Sequence, residues 1–179
     1  MLLLPIPDLP LCRAGIRNHC GLLSRRLTWL KPLSILQLSK RSEKYMDNII
    51  KNKMNNMDFT NPAKIDDINA LEENLGFALP KSYIDFLLTS DGAEGAIGKE
   101  NYLALWSVNE IVDLNVEYAV KEFTPQLTYF GSDGGEMAYA FDTSNENIAI
   151  VEIPFESIDI EDKTFIADDF YSFIDALAK

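Results

Sequence analysis

From residue 58 onward, apolar residues recur either three to four positions apart or at every second position. The switches between these rhythms divide the chain into elements. Ile65, Ile68, Leu71 and Leu75 make one helical stripe, with Asn61-Pro62 placed to cap and open the helix and Gly76 placed to end it. Leu79-Pro80 starts a second helix with Tyr83, Phe86 and Leu87 on one face, ending at Asp91-Gly92. Residues 93–100 read as a glycine-rich loop, and 102–106 as a short strand with alternating faces. Ser107-Val-Asn-Glu110 matches a capping box, in which hydroxyl and carboxylate each satisfy a free backbone N–H. The helix it opens turns Ile111, Leu114 and Tyr118 inward, and Pro125 marks the next break. Strands follow at 127–130, 136–141 and 148–153, with a turn at 142–147 and a short last strand at 164–167. Asp168 or Asp169 caps a final helix with Phe170, Phe173, Ile174 and Leu177 on its inner face.

Consecutive strands joined by short turns pair antiparallel, and helices cover one face of the sheet they form. The expected class is α+β: an antiparallel sheet of about four to six strands, covered by two amino-terminal helices and one carboxy-terminal helix. The sharpest local signal is the run from Phe130 through Gly-Ser-Asp-Gly-Gly to Asp142. Gly131, Gly134 and Gly135 permit a tight reversal or a bulge there. Met137, Tyr139 and Phe141 leave the turn on one face of a strand.

Charge divides the chain differently. The formal net charge of −12 over 179 residues hides a boundary near Met57. Residues 1–57 hold ten Lys and Arg against three acids, a net of +7, while residues 58–179 hold six Lys against 25 acids, a net of −19. The two segments are therefore read separately. The acidic one carries enough aromatic and periodic apolar residues to bury a core, which a disordered acidic tail lacks. Its surface repels nucleic acid and anionic membranes and speeds encounter with basic partners, beyond the solubility that acidity alone brings.

Cys12, Cys20 and the single histidine, His19, all lie in the basic segment, and residues 58–179 hold no Cys, His or Arg. That excludes Cys–His and Ser–His catalysis, a thiolate or imidazole zinc site and an internal disulfide from the acidic segment. No metal and no cofactor is expected. Cys12, His19 and Cys20 make a poor structural metal site without a fourth ligand. No run of about 18 apolar residues occurs, so no transmembrane helix is expected, and the expected location is cytoplasmic. Residues 1–57 read as a basic extension outside the fold, either disordered or upstream of the true start, because Met46, Met54 and Met57 are in-frame starts. Their Arg-rich, acid-poor composition also matches an organelle transit peptide. The folded domain is expected at 58–179.

Several of these pieces fall in a familiar order: residues 68–76, then Leu79-Pro80-Lys-Ser-Tyr83-Ile-Asp-Phe86-Leu87, Asp91-Gly92, and Leu105-Trp106 with Glu110-Ile111. Phe130-Gly-Ser-Asp-Gly-Gly135, Tyr139-Ala-Phe-Asp142, Val151-Glu-Ile-Pro154-Phe155 and the aspartate-capped aromatic helix complete the series. In this order and spacing the chain resembles the SUKH superfamily, which groups yeast cell-wall assembly regulators with bacterial immunity proteins. The resemblance covers 65–177 and none of 1–57. It implies an α+β domain without catalytic activity, whose bacterial members bind and neutralise toxins, often nucleases. Pro80, Tyr83, Phe86, Gly92, Trp106, Gly131, Gly134, Gly135, Asp142 and Pro154 are the framework positions it picks out. Ala93 stands where the family often has a second glycine. The family's binding surface varies, so no contact residue carries over by motif.

Asp133 and Glu136 are the one carboxylate pair placed for acid–base work. No nucleophile, base or oxyanion donor accompanies them, so turn chemistry is the stronger reading. The 142–147 turn fails as a calcium loop, with Asn147 where glycine is needed and Ile153 where a bidentate glutamate is needed. Gly92, Gly95, Gly98 and Lys99 fail as a phosphate loop by spacing and by the flanking Glu94 and Glu100. Trp106 reads as core. The residues expected to meet a partner are Asp133, Glu136, Glu156, Asp159, Glu161 and Asp162. Three functions are then open: an immunity-type module that occludes a basic toxin domain, a non-enzymatic regulatory scaffold of the cell-wall type, and a hydrolase using Asp133 and Glu136. The first is preferred, with a protein partner and neither nucleic acid nor membrane.

Overall fold

The computed structural model describes residues 48–49, 52–157 and 159–179. Its elements run β1 (Met57–Phe59), α1 (Ile65–Leu75), α2 (Lys81–Leu87), β2 (Ala93–Ile97), β3 (Asn101–Leu105), α3 (Val108–Glu117) and α4 (Val120–Phe123). They continue with β4 (Leu127–Ser132), β5 (Met137–Asp142), β6 (Ala149–Pro154), a 3-10 turn (Ile160–Asp162), β7 (Thr164–Ala167) and α5 (Phe170–Leu177). All seven strands form one antiparallel sheet in sequence order, β1 to β7.

The α+β class and antiparallel pairing hold, but the sheet has seven strands rather than four to six. The additional ones are β1 and β2. Ala93–Ile97 lacks the β-branched alternation that marks a strand; it is held in place because β1 and β3 flank it on both sides. Residues 48–49 and 52–53 are helical, and Ile49, Met54 and Met57 are buried in the principal core. The packed core therefore reaches to the amino-terminal side of residue 58. The rest of the basic extension, with Cys12, His19 and Cys20, lies outside the described residues.

Strand alternation distributes two cores. Leu103, Leu105, Phe130, Tyr139, Phe141 and Ile150 face α1, α2, α3 and α5 in the principal core. The opposite parity (Leu127, Tyr129, Ala138, Ala140, Val151, Ile153) forms a second cluster under Val120 of α4. Helical cover is thus not confined to one face, as the sequence had implied. The principal core is aromatic at its centre. Phe130 and Phe141 stack at 4.3 Å, and Tyr83 meets Phe141 and Phe170 edge-on at 5.1 and 5.2 Å. Such pairs add about 0.5–1.5 kcal/mol each beyond their burial.

Helix ends follow local chemistry. Ser107 and Glu110 form the expected capping box, Gly76 ends α1 in the left-handed conformation, and Asp169 caps α5 by accepting from the Tyr171 and Ser172 amides. Pro62 does not open α1, which starts at Ile65. The Asn61 carbonyl instead accepts the Asp91 amide, and the Leu87 carbonyl accepts that of Ala63, pinning this segment to the end of α2. Ile65 is 52 % exposed and leaves the expected stripe. Pro80 sits just before α2, where its carbonyl accepts the Tyr83 and Ile84 amides.

Candidate functional site

The outer face of the sheet carries the most distinctive surface. Trp106 follows β3, and its amide donates to the Phe130 carbonyl at 3.0 Å. Phe155 follows β6, and its amide donates to the Glu136 carbonyl at 2.9 Å, extending the β5–β6 hairpin by one pair. Tyr118 ends α3. The three rings are near-parallel: Tyr118 and Phe155 lie 4.6 Å apart at 28°, and Trp106 lies 6.4 Å from Tyr118 and 6.3 Å from Phe155. Tyr129 meets the Phe155 ring edge-on at 6.0 Å. Tyr118 is 40 % exposed, and Trp106 and Phe155 are half-buried against the second cluster. Tyr118 was expected to face inward. It stands one residue past α3, and stacking on Phe155 turns it to the outer face.

Asn115 holds this arrangement. Its Nδ2 donates to the Ile111 and Tyr129 carbonyls, each at 2.7 Å, while its Oδ1 accepts the Tyr129 amide at 2.9 Å. The side chain thus acts as a strand partner for β4, beyond the two register pairs that β3 supplies. A lone mid-helix Asn gives no such signal in sequence. Burial pushes the Tyr129 phenol up from its usual value, against a smaller downward pull from Thr124.

Of the six residues expected to meet a partner, Glu136 and Glu156 come together, with Gly135, Pro154 and Phe155, around a concavity of about 280 Å³. Both glutamates are exposed, and neither carboxylate has a hydrogen bond or ion pair among the described residues. Asp133 is not with them. Its Oδ1 accepts the Gly135 amide at 2.8 Å and the Met137 amide at 3.1 Å, which is turn chemistry. Asp159 and Asp162 are drawn into their own loop: Asp159 accepts the Glu161 amide, and Asp162 accepts the Ser157 hydroxyl. The exposed Glu161 lies on the same turn, whose Ile160 packs against the second cluster.

The framework positions have structural duties. Tyr83 and Phe86 are fully buried, Gly92 is buried ahead of β2, and Pro154 pairs with Met137. Gly131 lies within β4 at a bulge, not in the turn. A Cβ there would meet the Ala104 carbonyl oxygen at 2.6 Å, so only glycine lets β3 and β4 close. Gly134 takes the turn's left-handed position, at φ 76°, while Gly135 does not. Asp142 is buried at the end of β5, with Lys163 Nζ at 2.7 Å and the Ser144 amide at 2.9 Å. Burial pushes its carboxyl up, but Lys163 and Ser144 outweigh burial and hold it below the usual range.

Among the described residues, no group of His, Cys, Asp and Glu is arranged to hold a metal ion, and no helix is long and apolar enough to cross a membrane. The family model described as SMI1 / KNR4 family (SUKH-1) matches residues 62–176. Comparison with curated proteins finds no match.

Proposed function

Since the chain belongs to the SMI1 / KNR4 family (SUKH-1), we propose that it is an immunity-type module that binds a basic toxin domain and blocks it by occlusion. One observation carries this reading. Glu136 and Glu156, whose carboxylates have no countercharge among the described residues, border a half-exposed aromatic stack in a segment whose net charge is −19. Long-range attraction would gather a cationic partner, and the aromatic rings would supply the desolvated anchor that charge alone does not. Binding, not turnover, is the mode of action. Asp133 is committed to its turn, and residues 58–179 offer neither histidine nor cysteine as base or nucleophile. Family membership supports a role in protein–protein interaction and leaves the partner to be found.

The experiment is co-expression with a toxin encoded beside the gene, read as co-purification and rescue of growth. Rescue with co-purification supports the proposal. A domain that protects against no neighbouring toxin, but copurifies with a signalling protein, moves the assignment to a regulatory scaffold.

A further inference from the structure

We infer that the concavity lined by Glu136, Phe155 and Glu156 takes one arginine side chain of the basic partner, its guanidinium lying against the Phe155 ring and reaching both carboxylates. This rests on the binding reading above and names the chemistry of its anchor.

Three surfaces compete for the role, and the state of their acids separates them. A concavity near β1 holds Asp58, Asp91, Glu94 and Glu110 beside the exposed Phe59. There Asp91 accepts the Val108 amide, Glu94 the Tyr102 hydroxyl, and Glu110 both the amide and the hydroxyl of Ser107. Three of its four carboxylates are thus engaged within the fold, which leaves Asp58 as its single acid without a hydrogen bond or ion pair among the described residues. The groove between α1 and α3 is apolar where Leu75, Val112 and Val116 line it, with Lys121 beside Glu122, and where it carries the acids Asp67 and Asp113 it has no aromatic ring. Of these three, only the outer-face concavity joins two carboxylates that have no partner among the described residues to an aromatic ring held by other rings. Tyr118 stacks on Phe155 and Tyr129 meets its edge, so the ring is held in place before a ligand arrives. A flat π-face beside two separate acceptors suits a planar guanidinium, which stacks and donates from several N–H groups at once. An ammonium group is a compact point charge and uses the ring less well.

The test titrates the full chain with propylguanidinium at about 150 mM salt, where the screening length is about 8 Å, and follows backbone amides by NMR. Propylurea serves as the uncharged isostere. Saturable shifts at Gly135, Glu136, Phe155 and Glu156 with the cation alone are expected. Glu136→Gln combined with Glu156→Gln should weaken them about tenfold. Phe155→Leu should weaken them about fivefold, and the glutamine pair keeps the test intact should that variant fold poorly. Shifts scattered over the whole acidic surface, or equal with the urea, overturn the assignment. An arginine-rich peptide separates the two levels of the argument. Equal binding to the native chain and the double-glutamine variant removes the pocket but keeps the binding reading, while binding to neither removes both.

Discussion

Tyr83 brings its hydroxyl into the centre of the principal core, where no polar atom among the described residues meets it. Its ring is surrounded by Phe86, Phe130, Phe141 and Phe170, with centroids between 5.1 and 6.1 Å away. A buried hydroxyl without a partner costs about 1–3 kcal/mol, whereas Tyr83→Phe keeps every ring contact and leaves only a small void. The substitution should therefore stabilise the protein by about 1 kcal/mol, raising Tm by roughly 4 °C for a domain of this size. Urea unfolding followed by tryptophan fluorescence reads the difference, with Trp106 as a half-buried reporter. Alkaline pH gives a second reading. Burial, then the charge of Asp91, raises the Tyr83 phenol, so the folded protein keeps it neutral while the unfolded chain ionises near pH 10. Stability is fully present below that value and falls as pH rises beyond it toward the folded one, by up to about 1.4 kcal/mol per pH unit. Tyr83→Phe removes this slope, so its advantage over the native chain should widen above pH 10. Tyr83→Ala, which loses the ring, should instead cost about 3–5 kcal/mol. A Tyr83→Phe protein less stable than the native one by 1 kcal/mol or more would refute the argument, because the hydroxyl would then hold a bond the fold requires.

Gly131→Ala should cost about 2–3 kcal/mol by driving a methyl into the Ala104 carbonyl, while Gly135→Ala, whose Cβ meets nothing nearer than 3.4 Å, should stay within about 0.5 kcal/mol; thermal denaturation compares them. Asn115→Ala leaves the Tyr129 amide and carbonyl without their side-chain partner and should cost about 2–3 kcal/mol, with faster hydrogen exchange at the Tyr129 amide as its specific sign. Lys163→Met strands the buried Asp142 carboxylate and should cost about 1–3 kcal/mol at neutral pH. The Asp142 carboxyl is held low in the native fold, so its stabilising contribution is present above the usual carboxylate value and is lost as pH falls through the folded one. The Lys163→Met deficit should therefore shrink in acid, as an acid titration of stability would show.

Much of the fold is written locally. The capping box at Ser107, the Asp169 cap, Gly76 and the inner faces of α1, α2 and α5 depend on residues within a turn of one another, so their spacing suffices to place them. The acid turn at Asp133 is legible for the same reason, because its acceptors bond amides two and four residues on. What spacing does not reveal is decided across the sheet. Ala93–Ile97 becomes a strand because two others flank it, and Gly131 is needed because β3 approaches from 27 residues away, at Ala104. The candidate site is of this second kind. Trp106, Tyr118 and Phe155 read singly as core positions, and Glu136 and Glu156 stand among six acids expected to meet a partner, with no spacing that sets the two apart. The sequence by itself determines that this segment is acidic, holds no Cys, His or Arg and carries the helices of its family. Only the tertiary structure brings the aromatic stack beside two carboxylates that are unpaired among the described residues, because the β5–β6 hairpin sets Glu136 against Phe155 and the end of α3 lays Tyr118 on the Phe155 ring.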